Sequence, residues 1–220
     1  MTLYAVRDGL SFCQIDGRFV FLDVDNDRYF RLTDSMDRAL ASYLEGDETP
    51  DPGMRGLIEG NILVDQPDMA TGGLRRIVSA TRSAMEVPLS TRKPRPLDVM
   101  EVLAIVLRTQ AALKLSTLKV VLDRLAQPLQ AKPLAAELER RLYDVAAVFR
   151  RARLYVPVDM CCLLDSIALA TFLRKRQLHA HVVFGVALDP FSAHCWVQAG
   201  DLVLNDTVGN VNSHTPIRVV

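Results

Sequence analysis

A thiol, an imidazole and a carboxylate stand in chain order in the last third of this 220-residue chain, each in a different local setting. Cys162 opens the segment Cys161-Cys162-Leu163-Leu164-Asp165-Ser166-Ile167-Ala168-Leu169, which reads as the start of a buried helix. His194 lies in Ala193-His194-Cys195-Trp196-Val197 and Asp206 in Val203-Leu204-Asn205-Asp206, which read as neighbouring short strands. A thiol attacks carbonyls as its thiolate, and a helix N-terminus and a nearby imidazolium both lower its pKa. A carboxylate on the other side of the imidazole fixes tautomer and orientation. His194 and Asp206 are 12 positions apart, so a tight hairpin brings them side by side. Trp196, the one tryptophan, follows His194 by two strand positions and is expected on the same face, walling the site.

Each residue also has a plainer reading. A cysteine on an apolar helix is usually a small buried hydrophobe. A histidine on a strand is commonly a satisfied polar side chain, and an aspartate at a strand end commonly makes turn hydrogen bonds. Only the joint order and setting favour chemistry. Among competitors, Cys161 neighbours Cys162, but helical periodicity places Cys162 over Ser166, Leu169 and Ala170. Cys195 alternates away from His194 into the core. His179 and His181 are expected at the surface, and His214 in a polar tail without a role.

The elements that must position these groups fall into two blocks. Residues 1–75 carry 7 Lys and Arg against 14 Asp and Glu, a net of −7, and the remainder carries +7. That split argues for two units with separate surfaces. In the first, Leu10–Ile15 and Arg18–Asp23 flank Asp16-Gly17, a strong hairpin-turn dipeptide. A third strand is expected over Arg28–Leu32. Thr33-Asp34-Ser35 then caps a helix to about Leu44, and Gly46 ends it. A short helix near Gly53–Glu59, a Gly60-Asn61 cap and a strand at Ile62–Val64 complete a winged-helix-like module. Gln66–Gly73 reads as linker.

Beyond it the pattern is helical over Leu97–Lys114, Ser116–Ala126 and Pro133–Arg153. The last part is mixed: a helix over Cys162–Arg176, a strand over Ala180–Val186, and a hairpin of His194–Gln198 with Leu202–Asp206. The fold class is therefore α+β. Domains are expected at 1–70 and 71–220, the second with a helical first half and a small antiparallel sheet.

Composition narrows the function. Four cysteines, two of them adjacent, make no disulfide framework, and their spacing to histidines makes no zinc site. No cofactor is expected. The first residues lack a cationic start followed by an apolar run, so a reducing cytoplasm is the expected setting. The longest apolar run, Val102–Leu107, is too short to span a bilayer. Dispersed Lys and Arg without interleaved aromatics argue against nucleic-acid binding, and an acidic front module repels phosphate.

The blocks around Cys162, from Val183 through Gly185-Val186, Pro190-Phe191 and His194 to Val197, and at Val203–Asp206 together resemble the lasso-peptide biosynthesis B proteins. The resemblance covers most of residues 95–220. It implies a papain-related, transglutaminase-like leader peptidase with Cys162 as nucleophile, His194 as base and acid, and Asp206 as orienting carboxylate. The front block is similar to the PqqD-like precursor-recognition element. There a leader peptide adds as a strand beside the third strand and rests on the last helix, which implies contacts from Tyr29, Phe30, Arg31, Arg55 and Ile58. The partners implied are a ribosomal precursor peptide and an asparagine-synthetase-like, ATP-dependent lasso cyclase. This chain departs from many relatives in carrying Asp165 where they have Arg, and Cys195 where they have Ala. Asp165 is thus a candidate for substrate contact or for pairing with a basic residue. Two other functions compete: a transglutaminase-type acyl transferase, which uses the same thioester chemistry, and a non-catalytic scaffold presenting the precursor.

Overall fold

The computed structural model describes residues 4–46, 52–65, 77–87, 93–126 and 136–220. The chain folds as two units, Met1–Arg75 and Arg76–Val220.

In the front unit, β2 (Leu10–Ile15), β3 (Arg18–Asp23) and β4 (Arg28–Arg31) form an antiparallel meander. Asp16 and Gly17 both take positive φ, 49° and 77°, which the right-handed strand twist demands of a two-residue turn. Helices α1 (Asp34–Leu44) and α2 (Pro52–Glu59) pack together, and β1 (Tyr4–Val6) pairs with β5 (Leu63–Asp65). β1 has no counterpart in the sequence reading. The core is aromatic: Phe30 stacks on Phe21 at 5.2 Å between ring centroids, and Phe12 tilts against Phe21 at 5.5 Å. Under the sheet end, buried Asp23 accepts from Arg7 and Asn26. Burial opposes its charge, but these partners hold its pKa below the usual carboxylate value. The expected linker, Gln66–Gly73, lies outside the described residues.

The second unit opens with a non-helical segment, 77–87, for which the sequence reading named no element. It contains β6 (Arg82–Ser83). Three helices follow: α3 (Pro96–Leu115), α4 (Leu118–Asp123) and α5 (Ala136–Arg153). Pro96 stands at the first position of α3, where its missing N–H costs nothing. The expected helix over Ser116–Ala126 contracts to α4, because Ser116 closes α3 and Thr117 caps α4. α5 carries Glu137 and Glu139 in its first turn and Arg150, Arg151 and Arg153 in its last, matching its macrodipole.

Helix α6 (Cys162–Arg174) is the centre of the unit. Eight of its residues are buried, Leu164, Ile167, Leu169, Phe172 and Leu173 among them. At about 1.5–3 kcal/mol for each large side chain, this burial anchors the helix. It packs against α3, α5 and the sheet. The sheet is ordered β10-β7-β8-β9-β6, with β7 (His181–Ala187), β8 (Ser192–Ala199), β9 (Leu202–Val203) and β10 (Thr215–Val219). A five-residue helix, α7 (Val208–Asn212), links β9 to β10. The β7–β8 register sets Gly185 opposite His194 and Val183 opposite Trp196. β6 joins parallel to β9, so the sheet is mixed rather than wholly antiparallel. No described helix is long and apolar enough to cross a membrane.

Candidate active site

Cys162 is the first residue of α6, preceded by Cys161 at the N-cap. What fixes this helix end is Arg153 from the last turn of α5, only 4% exposed. Its Nε donates to Asp165 Oδ1 at 2.6 Å, and its other nitrogens donate to the carbonyls of Val156, Val158 and Asp159. The second carboxylate oxygen of Asp165 accepts the Cys161 N–H at 3.2 Å. One buried guanidinium therefore ties the approach segment 156–159 and the first turn of α6 into a single bracket. Asp165 pairs with a base, one of the two roles the sequence left open.

A second network locks α6 to the sheet. The fully buried Ser166 hydroxyl donates to the Cys195 carbonyl at 3.0 Å and accepts from Asn205 Nδ2 at 2.9 Å. Asn205 Oδ1 accepts the Val197 N–H at 2.7 Å. This brings the helix start, strand β8 and the 204–206 turn to one point.

His194, on β8, bonds through Nε2 to Asp206 Oδ2, and its side chain lies near enough to the Cys162 thiol for the two to perturb each other's ionisation. The structure thus brings Cys162, His194 and Asp206 together at one place. The bond to Asp206, reinforced by that to Cys162, raises the His194 pKa to about 9. The His194 hydrogen bond lowers the Cys162 pKa against burial, and the N–H groups of Cys195 and Leu163 help. Burial works against an ionised Asp206, but His194, the Thr207 N–H and Asn210 keep its pKa below the ordinary value. All three directions favour the charged forms. By contrast, Cys195 is buried with its thiol pKa pushed well up, as a core cysteine should be. Cys161 is exposed.

Trp196 does share a face with His194, their rings 6.0 Å apart and nearly parallel, but it is 2% exposed. It supports the imidazole from within the core instead of walling the cavity, because its N–H is drawn inward to Gln198 Oε1 at 2.9 Å. His214, expected in a polar tail, lies beside the site. Its ring lies 5.3 Å from that of His194, and its Nε2 pairs with Ser192 Oγ at 3.1 Å. Gly185 makes the room: a Cβ there would meet the Trp196 indole at 2.7 Å and the His214 Cβ at 3.0 Å. Asn210 donates to Asp206 Oδ2 at 2.9 Å and lies 3.3 Å from His194 Nε2. Sequence reading missed it; the cue was Thr207 capping a short helix one turn long. Ser83, also missed, donates to the Asp206 carbonyl.

The site sits at the edge of a cavity of about 620 Å³ lined by Met85, Val87, Phe149, Leu154, Met160 and Leu204, with Cys162, Asp165 and His194 at its polar side. No cluster of three or more metal-ligating side chains occurs among the described residues.

In the front unit, β4 is an edge of the meander. Phe30 is packed into the core there, while Tyr29 is half-buried and Arg31 exposed. Arg55 and Ile58 are exposed on α2.

The chain is similar to known proteins over part of its length. The model of the transglutaminase-like superfamily matches residues 103–219, more than half of the sequence, and the chain belongs to that superfamily. A 45-residue stretch is 47% identical to the microcin J25-processing protein McjB of Escherichia coli. It covers 20% of this chain and 22% of that protein, so the likeness spans only about a fifth of either. No solved structure matches the chain.

Proposed function

We propose that this protein is a cysteine peptidase that removes the leader from a ribosomally made lasso-peptide precursor. The observation that carries the reading is the convergence of Cys162, His194 and Asp206 beside an open cavity, with His194 hydrogen-bonded to Asp206. The local identity to a microcin-processing protein supports the substrate class. Cys162 Sγ attacks the scissile carbonyl as thiolate, forming a tetrahedral oxyanion at the positive end of α6. His194 gives its proton to the leaving amine as the C–N bond breaks and a thioester remains. Water, deprotonated by His194, then attacks the thioester and frees the leader as a carboxylic acid. Asp206 keeps the imidazolium oriented throughout.

The front unit is the precursor-recognition element in this reading. An extended leader adds to the β4 edge, with Tyr29 and Arg31 beside it and Arg55 and Ile58 on α2 beneath; Phe30 anchors the strand. The released core passes to an ATP-dependent macrolactam cyclase. No step needs a cofactor.

Cys162→Ala tests the assignment. The variant should lose cleavage by on the order of 10⁴-fold or more while still binding leader peptide. Mass spectrometry of precursor incubated with each protein reads it out, and a variant that still cuts removes Cys162 as nucleophile. The same spectra separate hydrolysis from acyl transfer, since a free leader acid means water was the acceptor and a new amide means an amine was.

A further inference from the structure

Residues 77–87 form a strap that is fastened along its length. Val78 and Ala80 accept through their carbonyls from Gln198 and Asn212. Arg82 pairs with Asp201 and Glu139, and Ser83 and Ala84 hydrogen-bond to Asp206 and Val203. Past β6 the strap crosses above the Asp206 turn, where Glu86 Oε1 accepts the Val208 N–H at 3.1 Å. Arg150 of α5 grips the far end, reaching the carbonyls of Ala84, Met85 and Val87. This fastening holds Met85 and Val87 as one wall of the cavity, yet leaves them 39% and 49% exposed. Leu154 and Met160, on the cavity's other elements, are 65% and 62% exposed.

Most polar side chains around this cavity already have partners within the protein, although the buried Arg150 Nε has none. Arg153 and Asp165 hold each other, Glu86 holds Val208, Arg150 holds strap carbonyls, and Asn205 holds Val197 and Ser166. Away from the Cys162–His194 side, the surface left for a ligand is mainly methyl, methylene and thioether. Its volume falls within the ~300–1,000 Å³ of ordinary ligand pockets. Flexible methionines on two sides let it adapt to different apolar shapes. The strap also lies outside residues 103–219, the part shared with the superfamily.

We propose that the strap is the specificity-determining wall of the active site. Met85 and Val87, with Leu154 and Met160, form a subsite for a large apolar side chain within two residues of the carbonyl that Cys162 attacks. The inference rests on the peptidase reading and adds the class of residue selected.

The test uses the full chain and acetylated dipeptide chloromethyl ketones, on which the Cys162 thiolate displaces chloride to give a thioether. Leucine, serine or glutamate occupies either of the two positions, with glycine at the other. Intact-mass spectrometry follows alkylation, and iodoacetamide, which has no side chain, serves as reference. At one of the two positions the leucine probe should react about tenfold or more faster than the serine and glutamate probes, the order expected for burying a leucine side chain. Met85→Asp and the milder Val87→Ser should both lower the leucine-to-serine ratio. That ratio is taken within one preparation, so partial misfolding does not mimic it. Equal rates for all side chains with brisk iodoacetamide labelling would overturn the subsite alone. A Cys162 inert to iodoacetamide would overturn the peptidase reading, and the subsite with it.

Discussion

At the residue scale the decisive property is the pairing of charges around His194. Its imidazolium persists to about pH 9 because Asp206 accepts one N–H and the nearby Cys162 sulfur adds to the effect. Cys162 ionises below the ordinary thiol value for the complementary reason. These sites titrate as a pair, so two macroscopic steps bound the active form. As pH rises through the lowered thiol step, the thiolate–imidazolium pair forms and activity should appear. As pH rises further through about 9, His194 loses its proton, the leaving amine has no acid, and activity should fall. Asp206→Asn removes the largest cause of the raised His194 pKa. We expect it to move the alkaline limb to lower pH and to cut kcat by about 10²–10⁴-fold. A pH–rate profile of precursor cleavage reads both, and an alkaline limb that stays near 9 in the variant contradicts this account of the charge pairing.

The three principal residues were visible in sequence because each carried a local sign: a helix start, a strand, a strand end. Their supports were not. Arg153 reads as one more cation in the last turn of an amphipathic helix, and nothing nearby marks it as buried. Ser166 and Asn205 meet across 39 residues of chain. His214 was dismissed because its neighbours are polar. Its place is set by Gly185 on another strand, and no local pattern carries that information.

At the element scale, the N-terminus of α6 needs to be held still for the thiol to meet the imidazole. The Arg153–Asp165 pair does this from a nearly dry position, with side chains 4% and 18% exposed. Removing one partner of a buried ion pair leaves the other charge unsatisfied, a cost of about 3–5 kcal/mol. Asp165→Asn keeps the shape and removes the charge. We expect a loss of about 3 kcal/mol and, at ~2–4 °C per kcal/mol, a fall in Tm of roughly 6–12 °C by calorimetry. A change within 1 °C or so, on the order of a surface substitution, would mean the bracket is not what fixes the helix end.

The long, periodic elements α1, α3, α5, α6 and the β2–β3 hairpin were legible because their apolar spacing repeats several times. The short ones were not. β6 has two residues and α7 five, too few for a period to show. β10 contains Pro216, which speaks against a strand interior; the structure puts β10 at the sheet edge, with a register shift after Pro216, where a missing N–H is tolerated. The strap was hidden for the same reason. Its hydrogen bonds run to residues more than a hundred positions away, such as Asp201 and Asp206.

At the scale of the whole molecule, the chain divides into two separately folded units whose blocks carry opposed charges, −7 and +7, and the proposed function makes the first the binding unit and the second the chemical unit. Covalent linkage of two modules converts the second encounter into an intramolecular one and so raises its effective concentration. On that proposal, a leader held on the β4 edge should present its scissile bond to Cys162 more often than a free peptide does. The measurable quantity is kcat/KM for full precursor divided by kcat/KM for a short peptide spanning the cleavage site. Deleting residues 1–75 should lower that ratio at least about tenfold, and Arg31→Glu on β4 should lower it by a smaller factor in the intact chain. Competition by free leader peptide should inhibit the intact protein on precursor and leave its action on the short peptide alone. If the deletion leaves the ratio where it was, the front unit does not deliver the substrate, and the acidic block needs a different partner.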